Sequence, residues 1–232
     1  MMKVTWTRVL ALALTLYLAA RIVSVAGDNA RPHDSDYDYD PPVPGSYALP
    51  VIKMAPDGAI IDSAGQASNL RELTHGRITV LSFIYTRCAA PKACPYATGV
   101  LYDLNALSAQ DKALANNLRL VSLSFDPDYD TPQRLATYSE GMREQKSGCE
   151  WRFATAKSRA DLDSILNGYD QAVDKRSNPN DPQGPLYHIL RIFLIDQQGR
   201  IRNIYSSATL DPRLVLGDVK TLLLEEKRLS KQ

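Results

Sequence analysis

Two cysteines and one histidine are the side chains best suited to chemistry in this sequence. Cys88 and Cys94 lie in TRCAAPKACPYA, directly after the apolar run Arg77–Tyr85. Loops that follow central strands are where α/β proteins place their sites. Cys94 precedes Pro95, a residue suited to the first turn of a helix. The helix dipole and free N–H groups there are expected to lower the Cys94 pKa, with Lys92 adding positive charge nearby. A thiolate is both the nucleophile of disulfide exchange and the soft donor that copper(I) prefers. The Cys-x5-Cys spacing is looser than the Cys-x2-Cys of redox enzymes. Such a loop can turn back to the roughly 5–6 Å between Cα atoms that a disulfide needs, but nothing forces it to. Two structural thiols, or a structural disulfide, are the lesser alternative.

His188 follows the Gly184-Pro185 loop and is expected at the start of a late hairpin. A lone histidine is ordinarily a satisfied core or surface residue. Beside two sulfurs it becomes the third donor of a Cys/Cys/His copper site. Asp126 opens DPDYDTP after the second apolar strand. That segment reads as a turn with Thr131 as helix cap, and Asp126 is expected in addition to orient a ligand from outside the donor set. His33, among Asp34, Asp36, Asp38 and Asp40, reads as part of a solvated spacer.

The elements that must position these residues follow from periodicity. Tyr47–Met54 and Ala59–Asp62 flank Asp57-Gly58 and suggest a hairpin. Asn69–Leu73 suggests a short helical turn. Arg77–Tyr85 and Leu118–Phe125 are apolar throughout, as strands buried on both faces are. Pro95–Ala115 carries Val100, Leu101, Leu104, Leu107 and Leu114 at helical spacing. Further helices are expected from Thr131, from Ser158, and from Asp211 through Leu224. Trp151–Ala154 reads as a short strand, and Asn178–Pro185 as a loop. His188–Asp196 and Arg200–Tyr205 read as strands joined at Gln197-Gln198-Gly199. Alternating strands and helices that close with a hairpin and a helix make an α/β architecture: a mixed central sheet flanked by helices, with an N-terminal β-hairpin.

The chain has 232 residues and a formal net charge of +1, with no basic cluster interleaved with aromatics, so no nucleic-acid partner is expected. Lys3 and Arg8 precede the apolar run Val9–Ala20, and small residues follow at Ser24-Val25-Ala26. Residues 1–26 therefore read as a secretory signal peptide, with an uncleaved membrane anchor as the alternative. Residues 27–45 read as a flexible linker stiffened by Pro41, Pro42 and Pro44. Residues 46–232 read as the folded domain. The expected location is periplasmic or otherwise extracytoplasmic, with membrane association through the N-terminus. Three cysteines are too few for a disulfide scaffold, and their odd number leaves one unpaired or otherwise engaged. Cys149 reads as a small, partly buried side chain beside Trp151.

Three segments resemble the Sco/SenC family of copper-binding, thioredoxin-like proteins. They are LSFIYTRCAAPKACP, VSLSFDPDYDTPQRLATY and YHILRIFLIDQQGRI. The resemblance spans roughly Pro44 to Leu224. It implies a thioredoxin-like fold, with copper as Cu(I) or Cu(II) held by Cys88, Cys94 and His188. It also implies a partner such as the copper-centre subunit of cytochrome oxidase, or another exported thiol or copper protein. The family usually has Cys-x3-Cys, so this chain carries two extra residues within Ala89–Ala93. Two functions follow from one site: a metallochaperone for oxidase assembly, or a thiol–disulfide oxidoreductase or redox-signalling protein using the Cys88/Cys94 dithiol. A peroxidase is the weaker rival on the same fold.

Overall fold

Apolar runs alternate with helix-forming stretches, and the chain folds them in that order. The computed structural model describes residues 39–143 and 148–230. The expected signal segment, residues 27–38 of the expected linker, and His33 lie outside them. The strands are β1 (Lys53–Met54), β2 (Ala59–Asp62), β3 (Ala67–Asn69), β4 (Ile78–Ile84), β5 (Leu118–Ser124), β6 (Glu150–Ala156), β7 (Val173–Lys175), β8 (Leu186–His188), β9 (Arg191–Ile195) and β10 (Arg200–Ser206). The helices are α1 (Leu70–Thr74), α2 (Cys94–Ser108), α3 (Lys112–Asn117), α4 (Pro132–Tyr138), α5 (Glu140–Arg143), α6 (Arg159–Gly168) and α7 (Pro212–Leu229). All belong to a single unit that begins at Pro41.

Eight strands form one sheet in the order β1-β10-β9-β4-β5-β6-β2-β3. β4, β5 and β6 run parallel, and the flanking pairs are antiparallel. β4 is buried at every position, which only a central strand can be. Helices α2, α3 and α7 cover one face through Val100, Leu101, Leu104, Leu114, Val215 and Val219. Helices α1 and α6 cover the other through Leu70, Leu73, Leu162 and Ile165. On that second face Phe83, Phe193 and Tyr169 pack edge-on in a triangle with centroids 4.9–5.9 Å apart. Each such pair contributes about 0.5–1.5 kcal/mol beyond its buried area.

Several sequence expectations change in detail. An N-terminal hairpin is present, but it joins β2 to β3. β1 instead pairs with β10 near the opposite edge, so Asp57-Gly58 lies in a crossing rather than a hairpin turn. The crossing lies close to α6: a Cβ at Gly58 would meet Ile165 at 2.4 Å, and one at Gly168 would meet Pro56 at 2.5 Å. The long helix expected over Pro95–Ala115 breaks after Ser108, because the Asp111 side chain accepts the Ala113 and Leu114 N–H groups and starts α3. The strand expected over His188–Asp196 is two strands. Leu186–His188 pairs with β7 in a separate two-stranded ribbon, and the chain joins the main sheet only at Arg191. Residues 41–45, expected as linker, belong to the same unit as the sheet, and the Gly45 N–H donates to Thr221 Oγ1 at 2.9 Å.

The end of the sheet remote from the cysteines carries buried charge. A register shift in β10 accompanies burial of Arg202, which donates to the Leu49 carbonyl at 2.9 Å and to Asp196 at 2.9 Å, and pairs with Glu225 at 2.8 Å. Glu226 accepts from Gln197 Nε2 at 2.5 Å. Burial, and then the charges of Asp196 and Glu225, push the Glu226 carboxyl up to about 7, with Arg202 opposing. A carboxyl raised on folding stabilises the fold at low pH, and that contribution is lost as pH rises through the folded value. Glu226→Gln, which keeps the partner and removes the charge, should raise the melting temperature at pH 8 by about 2 °C. It should also flatten its decline between pH 5.5 and 8.5. An unchanged pH profile in thermal melts would refute this assignment.

Candidate metal centre

Cys88 leaves the C-terminal end of β4 through a tight turn, its N–H donating to the Tyr85 carbonyl at 3.1 Å. The neighbouring loop is tied to that turn at three points. The buried Tyr85 hydroxyl donates to the carbonyls of Gln183 at 3.2 Å and Leu186 at 3.0 Å. The Ala89 N–H donates to the Gln183 carbonyl at 3.2 Å. Gly184, at φ +103°, has no room for a side chain: a Cβ would lie 2.4 Å from the Tyr85 hydroxyl. These contacts bring β8, and with it His188, to the mouth of the cysteine loop.

Cys94 is the first residue of α2 and is buried. His188 is buried too, with its ring tilted over Phe125 at a centroid distance of 4.7 Å. Its Nε2 lies 3.5 Å from Cys94 Sγ. Cys88 is half-buried, and all three cysteines are free thiols. Cys88, Cys94 and His188, drawn from three segments of the chain, therefore meet at one rim of the sheet. Among the described residues, however, no three His, Cys, Asp or Glu side chains stand ready around one metal-sized point.

The electrostatics reverse one expectation. The helix N-terminus was expected to favour a thiolate at Cys94, yet the Cys94 thiol is pushed up. It donates to Cys88, it is buried, and it faces the Cys88 charge. Cys88 becomes the thiolate, held down to about 4 by the hydrogen bond from Cys94, against its own burial, with help from His188. Burial and the nearby Cys88 charge push Tyr85 up to about 12, so it remains a donor. The donor set fits a soft metal: one thiolate, one thiol able to lose its proton, and one imidazole nitrogen aimed at the sulfurs. His188 Nδ1 is buried without a partner, so packing on Phe125 and the Nε2 contact with Cys94 orient the ring.

Asp126 lies in the loop after β5, where it was expected. Its carboxylate pairs with Arg87 at 2.6 Å, and Arg87 and Arg134 sandwich the Tyr129 ring at 3.9 and 3.7 Å. The carboxylate beneath the cysteine loop is Asp130, wholly buried and bonded to Thr86 and Ser124. Lys92 lines a cleft of about 550 Å³ with Cys88, Pro91, Tyr187, His188 and Ile189. Cys149 takes no part. It sits at the start of β6, at the far end of the sheet, where its N–H donates to Ser108 Oγ at 2.7 Å and its carbonyl accepts from Asn105 at 2.7 Å.

A family model described as SCO1/SenC matches residues 54–224. This chain belongs to the SCO1/SenC family. The SCO1 protein homolog of Bacillus subtilis (strain 168) is 26% identical over 153 residues, covering 65% of this chain and 73% of the relative. The solved structure of a SCO1/SenC family lipoprotein from Bacillus anthracis str. Ames is 25% identical, with a TM-score of 0.62 over 76% of this chain and 99% of that one. Arabidopsis thaliana ScoI, solved with copper bound, is 19% identical with a TM-score of 0.60, covering 74% of this chain and 99% of that one; this is a likeness of fold. The SCO1/SenC match and these likenesses agree with a thioredoxin-like architecture, its mixed sheet carrying the cysteine loop at the end of β4.

The two thiols should titrate very differently in this SCO1/SenC domain. Alkylation of Cys88 by iodoacetamide, read by mass spectrometry, should be level from about pH 6 to 9 and fall only near the Cys88 value of about 4. An ordinary thiol would instead quicken about tenfold per pH unit up to about 8.5. Cys94→Ala removes the donor and should move the Cys88 inflection upward. Identical profiles in the wild type and Cys94→Ala would exclude this pairing.

Proposed function

We propose that the protein is an exported copper carrier assisting assembly of the copper centre of a respiratory cytochrome oxidase, with the metal held by Cys88, Cys94 and His188. One observation carries the reading: His188 Nε2 stands 3.5 Å from Cys94 Sγ, at the mouth of the loop that carries Cys88, which lines one cleft with His188. Membership of the SCO1/SenC family, and copper in the structure of a relative, support copper as the metal. At neutral pH Cys88 is already a thiolate donor, and Cys94 gives up its proton as Cu(I) binds. The imidazole adds a harder donor suited to Cu(II). Transfer then proceeds by exchange of ligands onto the thiols of a recipient protein.

A second reading is favoured by the pairing of an ionised Cys88 with a protonated Cys94. That is the arrangement of a dithiol that reduces a partner disulfide, one sulfur attacking and the other resolving. Loss of oxidase assembly in Cys88→Ser or Cys94→Ser, but not in His188→Ala, would select this reading.

Export rests on residues 1–26 as signal or anchor, followed by the spacer of residues 27–45 and the domain of residues 46–232. A relative described as a lipoprotein supports an extracytoplasmic setting. Among the described residues no helix is long and apolar enough to cross a membrane. All three cysteines lie beyond residue 80, so the apolar run Val9–Ala20 is the segment to test as an anchor. Fractionation and the mass of the mature chain decide between cleavage and retention.

Titration of the reduced protein with Cu(I) against a competing chelator should give one copper per chain. Each Cys→Ser change should weaken binding by at least about a hundredfold, and His188→Ala by about tenfold. Binding at pH 7 should release about one proton per copper, from Cys94. Stoichiometric binding that survives both serine variants would overturn the proposed donor set.

A further inference from the structure

We propose that Asp130 is the positioning residue that holds Cys88 against Cys94 and His188. The inference rests on the Cys88/Cys94 site proposed above and assigns it a buried control point. Asp130 lies in the loop after β5, wholly buried below the turn that carries Cys88. Its carboxylate accepts the Thr86 N–H at 3.0 Å, the Thr86 hydroxyl through a short bond, and the Ser124 hydroxyl at 2.5 Å. Its own N–H donates to the Asp126 carbonyl at 2.7 Å, fixing the loop from which the carboxylate reaches. Thr86 stands two residues before Cys88, inside the turn closed by the Cys88 N–H on the Tyr85 carbonyl.

The two ends of the cysteine loop are held by different means. Cys94 is fixed because it begins α2, whose apolar face is locked into the core. Cys88 has no such element. It is reached from β4 through Tyr85, Thr86 and Arg87, and beyond it Ala89 is tied to the Gln183 carbonyl at 3.2 Å before a turn, closed by the Ala93 N–H on the Ala90 carbonyl at 3.0 Å, that exposes Pro91 and Lys92. A longer loop lowers the effective concentration of one thiol at the other unless something ties it down. Two bonds from a single buried carboxylate to Thr86 tie it on the β4 side. The Arg87–Asp126 pair at 2.6 Å is a separate contact, made by an exposed guanidinium with the buried Asp126 carboxylate, and it does not involve Thr86.

A second buried carboxylate supplies a matched comparison. Asp218 in α7 accepts the Tyr47 hydroxyl at 2.5 Å, the Tyr205 hydroxyl at 2.6 Å and Asn203 Nδ2 at 2.8 Å. Its network ties β10 to α7 and does not touch the cysteine loop. Loss of a buried three-bond carboxylate in general is therefore separable from loss of this one.

The test is the equilibrium of the metal-free protein with glutathione. Two electrons and two protons pass from the Cys88 and Cys94 thiols to glutathione disulfide, forming the Cys88–Cys94 bond and two glutathione thiols. The equilibrium constant reads the proximity of the two sulfurs. Asp130→Ala should lower it at least about fivefold, Thr86→Val should lower it by less, and Thr86→Ser should leave it near the wild-type value. Asp218→Ala should lower the melting temperature while leaving the constant within about twofold. Cu(I) affinity should follow the same order. If Asp130→Ala does not fold, Thr86→Val against Thr86→Ser decides alone. An unchanged constant in Thr86→Val, or an equal fall in Asp218→Ala, would overturn the proposal. Absence of Cu(I) binding in the wild type would instead sink the copper reading and leave the glutathione measurement to judge Asp130.

Discussion

Everything at the rim depends on β4 being hydrogen-bonded on both sides and buried on both faces. Seven consecutive residues with no solvent-facing position can occupy only the middle of the sheet. Parallel pairing with β5 then sets Ile84 beside Ser124, so both chains leave the sheet at the same end and the same height. The cysteine turn and the Asp126–Asp130 loop are neighbours for that reason alone. Antiparallel pairing with β9 on the other side brings in the strand preceded by His188. Three distant segments are thereby delivered to one place by ladder geometry, before any side chain at the site makes a bond.

Much of this was legible in the sequence because it depends on local pattern. β4 and β5 announce themselves as unbroken apolar runs, and α2 and α7 as helical spacing behind a proline. The pairing of short edge strands was not legible. β1 is two residues long and finds its partner nearly 150 residues away, a choice made by tertiary packing against α6 rather than by Asp57-Gly58. The break between His188 and Arg191 was hidden for a similar reason. His188–Asp196 reads as one strand, and only the presence of β7 shows that His188 belongs to another ribbon.

The site was legible in its membership and not in its charges. Cys88, Cys94 and His188 could be chosen by residue type and by family likeness. Which sulfur ionises depends on burial, and that turned the helix-terminus argument around: the better-placed Cys94 is the more deeply buried, and it serves as donor to Cys88. The DPDYD segment offered three carboxylates, and the first drew the outer role. A sharper signal was available in the hydroxyls. Ser124 and Thr86 sit at the ends of adjacent buried strands and require an acceptor, and Asp130 is the carboxylate next to the Thr131 cap.

His188 is carried by the β7–β8 ribbon, whereas the sulfurs belong to the main sheet and its first covering helix. The ribbon meets the sheet through the short link at Ile189-Leu190, and side-chain bonds such as Gln171 to the Ile189 carbonyl steady it. A shift of the ribbon would leave every rung of the eight-stranded ladder intact, but it would break the bonds of the Tyr85 hydroxyl and the Ala89 N–H to residues 183–186. The place of the imidazole beside Cys94 is set by these few ties and by its packing on Phe125, while the place of Cys94 is set by the helix it begins.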